Sequence, residues 1–353
     1  MEKYSAIGLM SGTSLDGIDI AACEFILENN KWSFNILSCH TYPYSAEWKE
    51  KLIRLPAADA LTFLYADNAY GHFLGTLART FMEETGFMPD IIASHGHTIF
   101  HQPGKGLTVQ IGSGSAIAAE TGLPVICDFR SADVALGGQG APLVPVGDRL
   151  LFPDFDACLN LGGFANISME SGGERIAFDV CPVNIILNRL VNSLGLNYDK
   201  DGEIARTGRV NTGLLERLNR LEFYSQNGPK SLGREWLEHE FIPQAEMFSL
   251  PVNDLLNTIC EHIALQINLA LRSEIPVKVL VTGGGAYHRY LLDRIRFHGD
   301  HQWILPANEW IDFKEALVFA FLGILRWRGE INILRSVTGG RTDHCGGAIY
   351  QIL

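Results

Sequence analysis

The 353-residue sequence has no long apolar run. Its longest, "ALVFAFLGILRW" from Ala316 to Trp327, is far below the roughly 20 residues that cross a bilayer. That excludes a membrane span, and the short N-terminal apolar run broken by Gly8 is not the pattern of a signal peptide. Basic residues are scarce, 28 Lys and Arg against 40 Asp and Glu, for a net charge of −12. Nucleic acids and acidic membrane surfaces reward clustered Lys and Arg, so neither is expected as a partner. Cysteines are few and scattered: Cys23, Cys39, Cys127, Cys158, Cys181, Cys260 and Cys345, with no C-x-x-C pair. This excludes a disulfide framework or zinc knuckle and implies a reducing, cytoplasmic setting. There is no G-x-x-x-x-G-K-[ST], and "GSGSAI" at 112–117 has Ile117 where a dinucleotide fingerprint needs its third glycine.

Apolar residues make up 47% of the chain and charged ones only 19%, so a sizeable core can form. "YSAIGLM" and "IDIAACEFIL" read as a hairpin, and "WSFNILSCHTYPY" as a third strand. Residues 60–86 have helical spacing and stop on Gly86. "PDIIASHG", "LTVQIG" and "PVICDF" read as strands, and "SGSAIAAETG" as a short helix. The Gly/Pro-rich passage "LGGQGAPLVP" marks a boundary, after which the pattern restarts. "DACLNLGGFANISME" repeats strand, glycine turn, strand; "RIAFDV" is a strand, and "PVNIILNRLVNSLG" a helix with proline in its first turn. "VKVLVTGGGA" is a strand entering a glycine turn, and "FKEALVFAFLGILRWRG" is apolar nearly all round, as in a buried helix. The expected fold is α/β, with two lobes and a cleft between their turns. The expected lobes are 1–136, completed by 336–353, and 137–335.

Three glycine turns follow apparent strands: 12–17, 162–163 and 283–285. Each is either a tight turn or a place where the backbone meets phosphate. "GLMSGTSLDGID", "SHGHTIFHQP", "DFRSADVALGGQGAPLVP", "LNLGGFANIS", "FDVCPVN", "GPKSLGRE" and "VTGGGAYHRYLL" resemble, in order, the motifs of the anhydro-N-acetylmuramic acid kinase family. That family belongs to the sugar kinase, heat-shock chaperone and actin superfamily. The resemblance implies two ribonuclease-H-like (actin-like ATPase) lobes with an interdomain cleft. It also implies ATP and Mg²⁺ as co-substrate and cofactor, an anhydro amino sugar as substrate, cell-wall recycling as the setting, and a homodimer.

Carried over by position, Gly12, Thr13, Ser14, Leu15, Asp16, Gly17, Ile18 and Asp19 form the first ATP loop. Gly162 and Gly163, with Asn166, form the second phosphate turn, and Gly283, Gly284 and Gly285 the adenosine turn. His95, His97, Arg130, Asp133 and Asn184 lie on the sugar side, and Asp179 matches the catalytic aspartate. Opening an intramolecular acetal needs an activated water, and a carboxylate can take its proton. Asp179 precedes a helix N-terminus, whose dipole would keep it ionised; the alternative is a cap that serves only the helix. Asp16 is a candidate for magnesium, directly or through water, or a turn aspartate bonding its own backbone. Arg130 suits the lactyl carboxylate of a muramic acid, or a salt bridge to Asp133 or Asp128. Lys230 and Arg234 reach either phosphate or a neighbouring helix.

The chain departs from the family at Cys181, Val183 and Asn188 beside the catalytic position, at His97 and at Ser113. Cys181 and Val183 in place of glycines would shrink the sugar pocket. That motivates a non-catalytic or altered-specificity alternative. A third reading is a metal hydrolase on His95, His97 and His101, since His-x-His on a strand puts both rings on one face.

Overall fold

The computed structural model describes residues 1–12, 15–226, 230–271, 273 and 275–352. They form two compact units: 1–153 with 313–353, and 154–312. In the first unit the strands are β1 (Glu2–Ser11), β2 (Gly17–Glu28), β3 (Lys31–Pro43), β4 (Ile91–Gln102), β5 (Leu107–Ile111) and β6 (Val125–Cys127). The second has β7 (Ala157–Leu161), β8 (Phe164–Ser171), β9 (Glu174–Pro182), β10 (Lys278–Thr282) and β11 (Gln302–Ile304). The chain then returns to the first unit with β12 (Ala348–Tyr350).

The sheets share one plan. The first runs β3-β2-β1-β4-β6 and ends on β12, with β5 paired to β4; the second runs β9-β8-β7-β10-β11. In each, an antiparallel three-strand meander puts its first strand parallel to the fourth. This is the ribonuclease-H-like order, present twice, as expected. The meanders also turn alike. Asn29 and Asn30 (φ 51° and 60°) join β2 to β3, and Gly172 and Gly173 (φ 60° and 85°) join β8 to β9. Two successive left-handed residues twist as the flanking strands do, and Asn and Gly tolerate that conformation best.

Strand alternation decides what each face buries. Ile7, Leu9, Ile18 and Ile20 pack with Tyr70, Leu74, Ala78 and Phe81 of the helix Ala60–Thr85. That helix is capped by Asp59 and stops at left-handed Gly86. Ala6 and Gly8 face the opposite way, toward the buried helix Asn308–Arg328. A Cβ on Gly8 would lie 1.9 Å from the Ala316 carbonyl oxygen. In the second unit, Ala157, Leu159, Leu161 and Ile167 pack with Leu256, Ile259, Ile263 and Ile267 of the helix Val252–Ala270.

Two local expectations change. The Gly/Pro passage at 137–145 is a brace within the first unit, which extends to 153 and resumes at 313 rather than 336. The buried Lys314–Asp148 ion pair (2.7 Å) and the Phe34–Phe152 ring contact tie those segments to it. Pro182 ends β9, paired with Phe164, and the next helix starts at Asn184. A strand end tolerates the missing N–H.

Gly8→Ala is expected to destabilise the fold by about 3 kcal/mol, the upper range for an overpacked core, and to lower the thermal midpoint accordingly. An unchanged midpoint would show that the 308–328 helix does not sit on β1.

Candidate active site

The β1–β2 corner begins at Gly12, whose carbonyl accepts the Leu15 amide (3.4 Å), and Leu15 is left-handed (φ 60°). Thr13 and Ser14, expected as phosphate donors, lie outside the described residues. Asp16 is exposed. The Ile18 side chain is core, so that position offers a ligand only its main chain. Gly17 is where β2 meets β3: a Cβ there would be 2.7 Å from the Tyr42 carbonyl. Asp19 accepts the Thr41 hydroxyl (2.6 Å).

Beneath the corner runs a buried chain of hydroxyls. Tyr70 meets Tyr44, Tyr44 meets Ser11 (2.5 Å), and Ser11 meets His97 Nδ1 (2.8 Å). Donation from Tyr70 toward His97 uses every hydroxyl proton and leaves the imidazole proton on Nε2. Burial pushes the His97 pKa down to about 4, so the ring is neutral.

His95 is wired differently. Its Nδ1 donates to the Gly96 carbonyl (2.9 Å), and Nε2 accepts from Arg130 Nε (3.0 Å) and Nη2 (2.8 Å). With both nitrogens engaged, His95 cannot ligate a metal, which removes the hydrolase reading. Among the described residues no group of three or more His, Cys, Asp or Glu could hold a metal ion.

Arg130 also donates to the Gly140 carbonyl (2.8 Å). It pairs with neither Asp133 nor Asp128 among the described residues, and burial lowers its pKa to about 10. Asp133 is fully buried and accepts from the Gly140 amide (2.6 Å) and the Thr338 hydroxyl (2.7 Å). A Cβ on Gly138 would lie 2.2 Å from its carboxylate. Asp133 therefore fastens the 137–140 loop that Arg130 also grips.

In the second unit, two glycine turns meet at the carboxyl ends of β7 and β10, where ligands of parallel sheets collect. A Cβ on Gly283 would strike Asn160 Oδ1, and one on Gly285 would come within 2.7 Å of Leu161 Cβ. Gly163 and Gly284 are less crowded, the nearest atoms to a Cβ there being 3.8 and 3.5 Å away, in ordinary contact. Asn184 Nδ2 donates to the Leu161 carbonyl (3.1 Å), and its amide donates to the Gly162 carbonyl (3.2 Å). Asn184 thus belongs to the glycine turns.

Asp179 opposes Asn166 across β9 and β8. Its amide donates to the Lys230 carbonyl (2.9 Å), and its Oδ2 accepts the Leu232 amide (2.7 Å). Burial raises the carboxyl pKa and the Leu232 bond opposes it. The expected dipole stabilisation is thus outweighed. The helix starts five residues later, and the amides of Val183, Asn184 and Ile185 are spent on the Gly162 and Gly163 carbonyls. Cys181 and Val183 lie in the core of the unit rather than in a sugar pocket. The register shift between Ala165 and Asn166 leaves one β9 residue unmatched, which reverses the faces beyond Asp179. Ser113 caps the helix that follows it.

The sequence profile described as "Anhydro-N-acetylmuramic acid kinase" matches residues 4–352. The chain belongs to the anhydro-N-acetylmuramic acid kinase family. Members so named include one from Vibrio cholerae serotype O1, 35% identical over 373 residues, with 99% of both chains covered. One from Gloeobacter violaceus is 36% identical, with 96% of both covered. Among solved structures, the 2-hydroxyisocaproyl-CoA dehydratase activator of Clostridium difficile aligns with TM-score 0.42 and 11% identity, over 90% of this chain and 92% of that one. A ROK family glucokinase from Streptomyces griseus aligns with TM-score 0.39 and 14% identity, over 90% and 98%.

Two features of this family member escaped sequence reasoning. Glu315, inside an apolar helix, is solvent-accessible yet crowded, which raises its carboxyl pKa; Asp19 raises it further, while Arg130 lowers it. A charged residue within an apolar helical run was its only signal. The hydroxyl chain joins residues 11, 44, 70 and 97, and no motif records it.

His97 is neutral when folded and has an ordinary pKa when unfolded, so the unfolded chain binds the extra proton between pH 6.5 and about 4. Stability is expected to fall as pH drops through that window, by about 3 kcal/mol for this residue. His97→Gln should flatten the decline by that amount in chemical denaturation at each pH. An equally steep decline in the variant would show that His97 already titrates normally.

Proposed function

We propose that the chain is an ATP-dependent kinase that opens 1,6-anhydro-N-acetylmuramic acid with water and phosphorylates the freed 6-oxygen. The product is N-acetylmuramic acid 6-phosphate, and the setting is cell-wall recycling in the cytoplasm, by a homodimer. Family membership supports the substrate. The observation that carries the chemistry is Asp179, a partly buried carboxylate with raised proton affinity, one oxygen of which is held by a main-chain amide. Such a group is a better base near neutral pH than an exposed aspartate.

Asp179 takes the proton of a water that attacks the anomeric carbon. The acetal bond from that carbon to the bridging oxygen breaks, and this oxygen accepts the γ-phosphoryl group of ATP. Asn166, directly opposite Asp179, is close enough along the strands to help orient that water. The uncrowded main chain at Gly163 and Gly284, bare of side chains, suits close approach by phosphate and nucleoside, and Asn184 keeps the two turns together. Among the described residues Arg130 hydrogen-bonds a neutral histidine and a carbonyl, with the Glu315 carboxyl near enough to interact with its charge. Its guanidinium, with no carboxylate hydrogen-bonded to it among the described residues, suits the lactyl carboxylate, and Asp133 positions it through Gly140.

Exposed Asp16 fits a magnesium ion that keeps most of its waters and is held chiefly by phosphate oxygens. Bound there, the ion would neutralise charge on the transferring phosphoryl group. The non-catalytic alternative loses its motive, because Cys181 and Val183 are core residues.

With ATP, magnesium and the anhydro sugar, Asp179→Asn is expected to lose about 10²-fold or more in kcat, the contribution of a positioned base. An unchanged rate would remove Asp179 from the mechanism. A wild-type protein that turns over ATP only with another sugar would overturn the substrate assignment.

A further inference from the structure

Lys230 and Leu232 each touch Asp179 through the main chain, and the Lys230 side chain ties this strap down. Lys230 Nζ donates to the Phe223 carbonyl (2.9 Å) and the Gln226 carbonyl (3.2 Å). The same ammonium lies 4.4 Å from the centre of the Phe223 ring, a cation–π contact. Phe223 is buried in the short helix Glu222–Ser225. Next to Phe223, Tyr224 hydrogen-bonds His262 of the Val252–Ala270 helix (2.9 Å), so the anchor belongs to the rigid part of the unit. The Lys230 carbonyl accepts the Asp179 amide, and two residues later the Leu232 amide reaches Asp179 Oδ2.

We propose that Lys230 is a positioning residue for the base: its ammonium pins the strap so that Leu232 holds Oδ2 and Oδ1 is left to take the proton. The inference rests on Asp179 acting as the base. It assigns Lys230 a role other than phosphate contact, because two carbonyls and a ring already engage its ammonium.

The physical argument concerns proton affinity as well as aim. Burial makes the ionised carboxylate costly, and among the described residues the Leu232 amide is the hydrogen bond that offsets this. Cys181 on β9, which feels the Asp179 charge, and Tyr224, which feels Cys181, are both held in their neutral forms by burial. Neither supplies a compensating charge. If the strap loosens, the carboxyl holds its proton more tightly, and the acid limb of the rate profile moves to higher pH.

Lys230→Met keeps the aliphatic stem and removes the donors. It is expected to lower kcat about tenfold, the equivalent of one charge-assisted hydrogen bond, with KM for ATP unchanged and the acid limb of kcat/KM moved upward. Lys230→Arg, which keeps the donors, should restore the limb and most of the rate. Leu232→Pro deletes the critical N–H, while also fixing φ at 232, and should move the limb in the same direction, which covers the case of a Met variant that does not fold. The Asp179 carboxyl titration, followed by carbon NMR without substrate, should shift upward in Lys230→Met. A raised KM for ATP with an unmoved limb would place Lys230 on phosphate and overturn the proposal, as would an Arg variant as impaired as Met. If the NMR titration shifts while the rate profile stays still, the strap is real and Asp179 is not the base.

Discussion

The hydrogen bond from the Leu232 amide to Asp179 is the contact on which the proposed chemistry depends. Two opposing effects meet there. Partial burial makes the charged carboxylate unfavourable, and one amide makes it tolerable. An exposed aspartate would be too weak a base, and a fully buried one would stay protonated. The fold reaches the intermediate state through a local irregularity. The register shift between β8 and β9 lets Asp179 oppose Asn166 while Cys181, two residues on, turns into the core. A regular strand would put both side chains on one face.

The two sheets show how one plan serves different tasks. Strand order, strand direction and the two-residue left-handed turns recur in both units. The first meander's opening corner is longer, running from Gly12 to Asp16 between paired Ser11 and Ile18, whereas Gly162 and Gly163 make a tight corner between Leu161 and Phe164. Beneath the long corner lies a hydroxyl chain that ends on a neutral histidine. Beneath the tight one, the following helix spends its first amides on the glycine carbonyls. The strand entering the long corner is held through the Ser11 side chain, and the tight corner by main chain.

What was readable from the sequence was local. The first hairpin, the helix ending at Gly86 and the strand–glycine–strand of the second unit follow from alternation, capping and turn chemistry. The roles of Asp133 and Asn184 were not readable, because both sit in motifs beside expected ligands and only their partners, Gly140, Thr338 and Leu161, show them to be braces. Pro182 read as a helix start because proline favours that position as well as a strand end. The segments 144–151 and 313–328 read as parts of the second lobe, since nothing local shows that Asp148 will meet Lys314. Register shifts are equally silent, so Cys181 and Val183 read as pocket residues. Lys230 stood in a recognisable motif, but its carbonyl partners are set by the turn of the chain around Phe223.

The most direct test of the account is the fate of solvent oxygen. The reaction should be run in ¹⁸O-labelled water with ATP, magnesium and the anhydro sugar, quenched within the first turnovers, and the product fragmented in a mass spectrometer. Water activated by Asp179 predicts one ¹⁸O at the anomeric carbon and none in the phosphate ester or its bridging oxygen. Label at the 6-oxygen, or an unlabelled sugar, would contradict attack at the anomeric centre and with it the role assigned to this carboxylate.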